Sequence, residues 1–153
     1  MTIMKAEEYF AIQNLLNRYF QFVDSGDFES CGELFAAADL IYTQSGTVFS
    51  KDPAGVAAQM RSFVKLYGED KTPKTLHQSS NFIIEGRDDH HANTSCAAVI
   101  YQGTDALPFQ AIAAARYQDE LEKRKGRWII TQRRMSLNFM GDLSHHLLKE
   151  TSK

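Results

Sequence analysis

The spacing of apolar residues changes along this 153-residue chain, and the change limits the folds open to it. In the first half, apolar side chains recur every three or four residues, which is the period of an amphipathic helix. After about residue 75 they alternate with polar ones, as in strands with one buried face. Helices followed by a run of strands indicate an α+β domain, with the helices packed on one face of an antiparallel sheet.

Three helices are predicted in the first half. The first spans residues 5–24 and ends before Gly26, a residue suited to a helix C-cap. Asp27 caps a short second helix. Asp52 and Pro53 begin a third helix, which is expected to run to about Tyr67.

Six strands are predicted. Two short ones, Leu40–Tyr42 and Thr47–Phe49, flank a turn. The long ones are expected over residues 75–85, 93–102, 109–122 and 127–138. A flat sheet would leave one face of the first helix uncovered, so we expect the sheet to curl around the helices. Because no linker or low-complexity tract interrupts the pattern, residues 1–153 are predicted to form one domain.

Composition excludes several classes of protein. Hydrophobic residues make up 43% of the chain and the net charge is −2, which fits a packed core. The only dense basic run, Lys123–Arg127, contains a glycine and is predicted to be a hairpin turn, so no nucleic-acid surface is expected.

The cysteines and the hydropathy pattern bear on location. Cys31 and Cys96 lie in apolar segments without a CxxC spacing, which favours free thiols in a reducing compartment. No apolar run approaches the ~20 residues that cross a bilayer, and the first residues do not resemble a signal peptide. We therefore expect a cytoplasmic protein that does not enter membranes.

Asp24 and His77 are the candidate catalytic residues. Asp24 ends the first helix, where a negative charge opposes the helix dipole, and His77 begins a predicted strand. If the fold brings them together, the carboxylate holds one imidazole nitrogen and the other is free to take a proton from a bound molecule. Taken singly, each has an ordinary alternative, a turn residue for Asp24 and a solvated strand residue for His77.

Strand parity leaves the direction of the His77 side chain open. One face of the predicted strand carries Thr75, His77, Ser79 and Asn81, and the other carries Leu76, Phe82 and Ile84. The polar face either lines a wet pocket or meets solvent.

Tyr19 and Tyr42 are candidate substrate-binding residues. Tyr19 lies on the apolar stripe one turn before Asp24, and Tyr42 lies in the first short strand. A phenol can donate a hydrogen bond to a substrate oxygen, although a core tyrosine is the simpler alternative. Arg116 and Arg134, in long strands, are weaker candidates.

No metal or cofactor is expected. The pairs His90-His91 and His145-His146 are adjacent, so their side chains diverge, and no HxxxH or HExxH spacing occurs near them. The chain has no GxGxxG, GxxxxGK[ST] or GxSxG motif, so nucleotide binding and serine hydrolysis have no support.

Several segments carry a further resemblance. They are Asp24–Phe28 followed by Leu34-Phe35, then Thr75–Asn81, Ala115–Glu120, Gly126–Ile130 and Gly141–Leu147. Together they resemble the SnoaL-like family of the NTF2-like superfamily over nearly the whole chain. The resemblance implies a cone-shaped α+β barrel, in which N-terminal helices pack on a curled antiparallel sheet. That superfamily contains enzymes, binding modules and proteins of other roles.

The resemblance also bears on the site. Scytalone dehydratase and hexachlorocyclohexane dehydrochlorinase, two enzymes of the superfamily, use an Asp–His pair inside the cone, and Asp24 and His77 fall at the matching positions. Other positions differ: Val23 replaces a tyrosine of the dehydratase, Cys96 lies near the place of its second histidine, and Tyr19 replaces a lysine of the dehydrochlorinase. We therefore expect a substrate different from theirs.

Two functions follow as expectations. The first is a cofactor-independent lyase or isomerase, dehydratase-like, that acts on a small hydrophobic or cyclic oxygenated molecule by Asp–His general base catalysis. The second is a non-catalytic ligand-binding or oligomerisation module. We also expect a homodimer or homotrimer built on the outer face of the sheet, where Ala111, Ala113 and Ala115 are predicted to form an apolar row.

Overall fold

A computed structural model of the chain describes residues 3–148. Within them lie, in chain order, α1 (Ala6–Ser25), α2 (Phe28–Glu33), β1 (Asp39–Tyr42), β2 (Val48–Ser50), α3 (Pro53–Phe63), β3 (Thr75–Gly86), β4 (His91–Gln102), β5 (Gln110–Arg124) and β6 (Arg127–Met140). This is the predicted order. The prediction that the third helix runs to about Tyr67 is wrong, because Val64 adopts an extended conformation and forms a β-bridge with Leu147.

The sheet confirms the predicted α+β class. Its strand order is β2-β1-β6-β5-β4-β3, with β1 parallel to β6 and the other neighbours antiparallel. Helix α1 contacts both β3, at one edge, and β6, three strands away, so the sheet curls around the helix. The two edge strands do not pair, and the barrel is open rather than closed.

The main core lies between α1 and the concave face of the sheet. From α1, the buried residues are Ile12, Leu16, Tyr19, Phe20 and Val23. From the sheet, they include Cys96, Ala98, Ala115, Tyr117, Leu121, Trp128 and Ile130. Burying this apolar stripe against the sheet stabilises α1 more than its intrinsic helix propensity does.

A β-bulge in β3 changes which side chains face the core. Ser80 pairs with Ala97 and Ile83 pairs with Ser95, so two residues of β3 lie opposite one residue of β4. Asn81, at this bulge, has a φ of 56° in the left-handed region. Before the bulge odd-numbered residues point inward, and after it even-numbered residues do.

A second bulge, in β5, overturns the predicted alanine row. Ile112 is the extra residue there, between Ala111 and Ala113, so the alternation changes phase within the row. Ala111 is exposed, whereas Ala113 and Ala115 are buried on the concave face. The prediction that these three alanines form one outward row is therefore wrong.

Candidate active site

Asp24 and His77 are in direct contact. Nδ1 of His77 lies 2.6 Å from Oδ1 of Asp24, and the backbone N–H of His77 donates to Oδ2 at 2.8 Å. The hydroxyl of Thr75 donates to Oδ1 at 2.8 Å. Three groups of β3 thus hold the carboxylate, and the last turn of α1 is tied to the first residues of this strand.

The polar row at the start of β3 points towards α1 and not towards solvent. Besides the contact of His77 with Asp24, the Ser79 hydroxyl donates to the side-chain oxygen of Asn17 at 2.7 Å. The bulge at Asn81 explains how this polar row and the apolar residues after the bulge both face inward. The sequence left open whether the polar face of this strand meets solvent or lines a pocket, and the structure turns it towards α1.

The contact with Asp24 also orients the imidazole. A carboxylate only accepts hydrogen bonds, so Nδ1 of a neutral His77 carries the proton and Nε2 keeps its lone pair. Nε2 makes no hydrogen bond within residues 3–148. The His77 side chain is 6% exposed and that of Asp24 19%, and the Phe20 ring stacks on the imidazole with centroids 5.6 Å apart. The arrangement provides an oriented base in a largely dry environment.

A second polar cluster lies deeper in the core, around Arg133. Its guanidinium forms two hydrogen bonds with Asp119, of 2.6 and 2.9 Å, and both side chains are fully buried. The guanidinium carbon lies 4.6 Å from the ring centroid of Tyr19 and 4.9 Å from that of Tyr117. Aromatic faces and one carboxylate therefore surround the buried cation.

The predicted residues Tyr19 and Tyr42 both belong to this deeper cluster. Burial raises the pKa of the Tyr42 hydroxyl to about 12 and that of Tyr19 well above its ordinary value, so both are neutral hydrogen-bond donors at neutral pH. Burial alone would lower the pKa of Arg133, but Asp119 raises it above its ordinary value, so the guanidinium stays charged.

The deeper cluster has more donors than acceptors. Within the described residues, Nη1 of Arg133 and the hydroxyl of Tyr117 are buried without a hydrogen-bond partner. Buried polar atoms are nearly always paired in proteins. Two unpaired donors against the same aromatic walls are suited to an acceptor oxygen, such as the carbonyl of a ligand.

The two parts of the site are adjacent but separate. No hydrogen bond among the described residues joins Tyr19 or Tyr42 to the Asp24–His77 pair. Phe20 lies between them, since its ring stacks on His77 and meets the Tyr117 ring edge-on at 5.3 Å. The structure thus pairs the two catalytic candidates with each other, and it places the two tyrosines around Arg133.

Sequence reasoning did not find Arg133 and Asp119. Trp128 and Ile130 point inward, so simple alternation along the strand predicts that Arg134, and not Arg133, also points inward. In the structure, Thr131 is an extra residue in β6, so Arg133 points inward and Arg134 is exposed. The hairpin of β5 and β6 did contain a signal. Regular pairing on both sides of its two-residue turn would already place Asp119 within one residue of Arg133.

Three cavities lie away from the Asp24–His77 pair. A groove of about 270 Å³ and another of about 410 Å³ occupy the outer face of the sheet, and both include Arg134; Arg116 lines the larger. The third, of about 240 Å³, lies beside Trp128 near the start of α1. Neither Asp24 nor His77 lines any of them.

The predictions about cysteines, metal ligands and membrane-spanning segments can be compared with the structure. Cys31 and Cys96 are buried free thiols, as predicted. Between residues 3 and 148, no three His, Cys, Asp or Glu side chains are grouped to hold a metal ion. No helix in that part of the chain is long and apolar enough to span a bilayer. A cytoplasmic location stays a prediction.

The sequence matches the model of the SnoaL-like domain over residues 4–134. Because the match covers most of the chain, the protein belongs to the SnoaL-like family. No curated protein matches the sequence.

Solved structures share the fold at low sequence identity. A protein of unknown function with a cystatin-like fold from Nostoc punctiforme is 19% identical, with a TM-score of 0.73 over 93% of this chain and 99% of its own. A candidate scytalone dehydratase from Novosphingobium aromaticivorans is 20% identical, with a TM-score of 0.68 over 89% and 87%. LinA, the hexachlorocyclohexane dehydrochlorinase, is 18% identical, with a TM-score of 0.65 over 90% of each chain. These likenesses show an NTF2-like fold.

Proposed function

We propose that this protein is a cofactor-independent lyase or isomerase that removes a proton from a carbon next to a carbonyl group. Its substrate is a small, hydrophobic, cyclic and oxygenated molecule. Asp24 orients His77 and stabilises the imidazolium that forms, and Nε2 of His77 takes the proton. The proton passes between substrate carbon, His77 and product, so the reaction requires no cofactor.

The observation that carries this proposal is the contact between Nδ1 of His77 and the Asp24 carboxylate. A second Asp–His contact in the same chain, between Asp88 and His91, shows what makes the first unusual. That pair lies in a surface turn, with the His91 side chain 42% exposed, whereas the His77 side chain is 6% exposed and stacks on Phe20. Water competes far less for the first pair, so its carboxylate orients the ring more strongly.

The deeper cluster supplies the groups that polarise the substrate. Proton removal beside a carbonyl places negative charge on the carbonyl oxygen, and preorganised donors stabilise that charge. We assign this role to Tyr19 and Tyr42, with Arg133 and Tyr117 beside them. The rings of Phe20 and Phe35 form an apolar wall for the substrate body.

Relatives of the fold support the reaction class. The candidate scytalone dehydratase and LinA are both eliminating enzymes by name, and both superpose on most of this chain. At about 20% identity they support the class of chemistry and not a particular substrate.

The test uses mono- and bicyclic β,γ-unsaturated and β-hydroxy ketones, which both become conjugated enones through removal of the proton beside the carbonyl. The unsaturated ketones then regain the proton at the γ carbon, and the hydroxy ketones lose water. Ultraviolet absorbance of the conjugated enone measures turnover. Asp24→Asn and His77→Ala are each expected to lower kcat at least about 10²-fold. Because the two residues act as one unit, the double variant should lose little more than either single variant.

His91→Ala is the matched control, since it removes the exposed Asp–His contact and is expected to leave kcat unchanged. Circular dichroism confirms that each variant is folded. Turnover in folded His77→Ala equal to that of the wild type would refute the proposal.

The alternative function is a non-catalytic binding module. The observation in its favour is that none of the three cavities described above is lined by the Asp24–His77 pair. Ketones that raise the melting temperature of the wild type but are not converted would establish this alternative.

A further inference from the structure

The segment after β6, residues 141–148, runs back across the open end of the sheet and is held along its length. The N–H of Gly141 donates to the carbonyl of Ile112 at 2.7 Å. Further on, the N–H of Lys65 donates to the carbonyl of His146, and the N–H of Leu148 to that of Phe63, both at 2.8 Å. This C-terminal segment therefore lies along the chain that follows α3.

Two side chains, those of Gln102 and Tyr67, hold the middle of the C-terminal segment. The amide of Gln102 donates to the carbonyl of His145 at 3.1 Å, and the Tyr67 hydroxyl donates to the same carbonyl. Gln102 lies opposite Thr75 in the β3–β4 ladder, and Thr75 donates to Asp24. The C-terminal segment is thus connected to the Asp24–His77 pair through two neighbouring strand residues.

His146 follows His145 in this segment, and its side chain lies close enough to His77 and Asp24 to interact electrostatically with both. Its Nδ1 is buried and has no hydrogen-bond partner among the described residues, and neither has the side-chain oxygen of Gln102. Burial, and to a smaller extent the neighbouring His77, lower the pKa of His146 to about 4, although Asp24 acts in the opposite direction. His146 is therefore a neutral imidazole at neutral pH, with one ring N–H to donate.

We propose that His146 is a further catalytic residue, which donates a hydrogen bond to the leaving oxygen when the substrate loses water. The inference rests on the proposed function and selects elimination as its reaction. His77 takes the proton beside the carbonyl, and the electron pair of the C–H bond forms the new C=C bond as the C–O bond breaks. The electron pair of the C–O bond stays on oxygen, and His77 returns the proton to make water. His146 stabilises the oxygen as it departs and stays neutral.

Two substrates that give one product separate this role from a structural one. 3-Hydroxycyclohexanone and 3-cyclohexenone, with their bicyclic analogues, both yield the conjugated enone after loss of a proton beside the carbonyl, but only the first has a leaving oxygen. His146→Leu is expected to lower kcat for the hydroxy ketone about 10²-fold and to change kcat for the enone less than about twofold. His146→Gln keeps an N–H donor and should recover part of the lost elimination.

His145→Leu is the control, because only the backbone carbonyl of His145 takes part in the contacts above. Equal losses for both substrates in folded His146→Leu would overturn the inference and indicate a structural role, and so would no loss for either. A wild type that isomerises the enone but never dehydrates the hydroxy ketone would overturn the inference and leave the proposed function standing. A wild type that converts neither substrate would overturn both.

Discussion

At the residue scale, two buried ionic contacts have different consequences for stability. Asp24 is bound by three donors near the rim of the sheet, whereas Asp119 lies in the core and neutralises the fully buried guanidinium of Arg133. Removing one partner of a fully buried pair leaves an uncompensated charge. Such a change lowers the free energy of unfolding, since no water reaches the remaining charge.

Asp119→Asn is therefore expected to lower the free energy of unfolding by about 3–5 kcal/mol. Urea denaturation measures the change. Replacing both partners by apolar residues, as in Asp119→Leu with Arg133→Met, should destabilise less than Asp119→Asn alone, because no charge remains buried. The exposed pair of Glu122 and Arg124 is the control, and Glu122→Gln should not shift the denaturation midpoint. An Asp119→Asn variant as stable as the wild type would contradict this account.

His146 makes stability depend on pH. Its pKa is about 4 in the folded protein and 6.5 ordinarily, so the unfolded chain binds the proton more tightly. The contribution of neutral His146 to the free energy of unfolding is fully present above pH 6.5 and is lost as the pH falls towards 4. The full loss is about 3 kcal/mol at ~1.4 kcal/mol per pH unit. His146→Gln should remove this part of the acid sensitivity between pH 7.5 and 4.5, measured by urea denaturation, whereas His145→Gln should not. Identical pH profiles for His146→Gln and the wild type would refute the assignment.

At the element scale, bulges decide which residues reach the site. The extra residue at Asn81 turns His77 towards α1, and the extra residue at Thr131 turns Arg133 inward. In a regular strand of period two, each would point to the opposite face from the apolar residues further along its strand. The site therefore depends on two irregular positions in strands that otherwise alternate.

Asn81 tests this dependence. Its φ of 56° is tolerated by Asn and Gly but strains a β-branched side chain, so Asn81→Val is expected to destabilise the fold by about 1–2 kcal/mol. Turnover should fall as well, because relaxing the bulge turns His77 away from Asp24. Asn81→Gly is the control and should keep both stability and turnover near the wild-type values. Equal turnover of the folded Val and Gly variants would show that the bulge does not determine the orientation of His77.

At the scale of the whole molecule, the outer face of the sheet is only partly polar. The exposed apolar side chains on it include Leu76, Ile83 and Phe139, and the two grooves described above lie on the same face. The helices pack on the concave face and leave this one uncovered. Apolar residues on an uncovered sheet face favour association between copies of the chain.

We therefore still propose a homodimer or homotrimer, with Leu76, Ile83 and Phe139 in place of the alanine row. Light scattering at micromolar concentration should give the mass of two or three chains, and Phe139→Glu should reduce it. Phe10→Glu, at an exposed phenylalanine on α1, is the matched control and should not change the mass. A wild type with the mass of one chain would rule out the proposal.

Local pattern was sufficient for the order of helices and strands in this protein, since each element has its own hydrophobic period and end signals. The helix predicted over residues 5–24 became Ala6–Ser25, and the strand predicted over 75–85 became Thr75–Gly86. The sequence also singled out Asp24 and His77 as residues of unusual setting, and its resemblance to the SnoaL-like family named the fold.

Only the tertiary structure decided which side chains meet. The contact between Asp24 and His77 joins residues 53 positions apart, and the approach of His146 depends on how the C-terminal segment crosses the sheet. The inward turn of Arg133 rests on one extra residue in β6, which shifts the side chains after it to the opposite face as far as the next bulge, at Asn138. Period-two alternation contains no information about such a shift, because the position of a bulge also depends on the pairing register with the neighbouring strand.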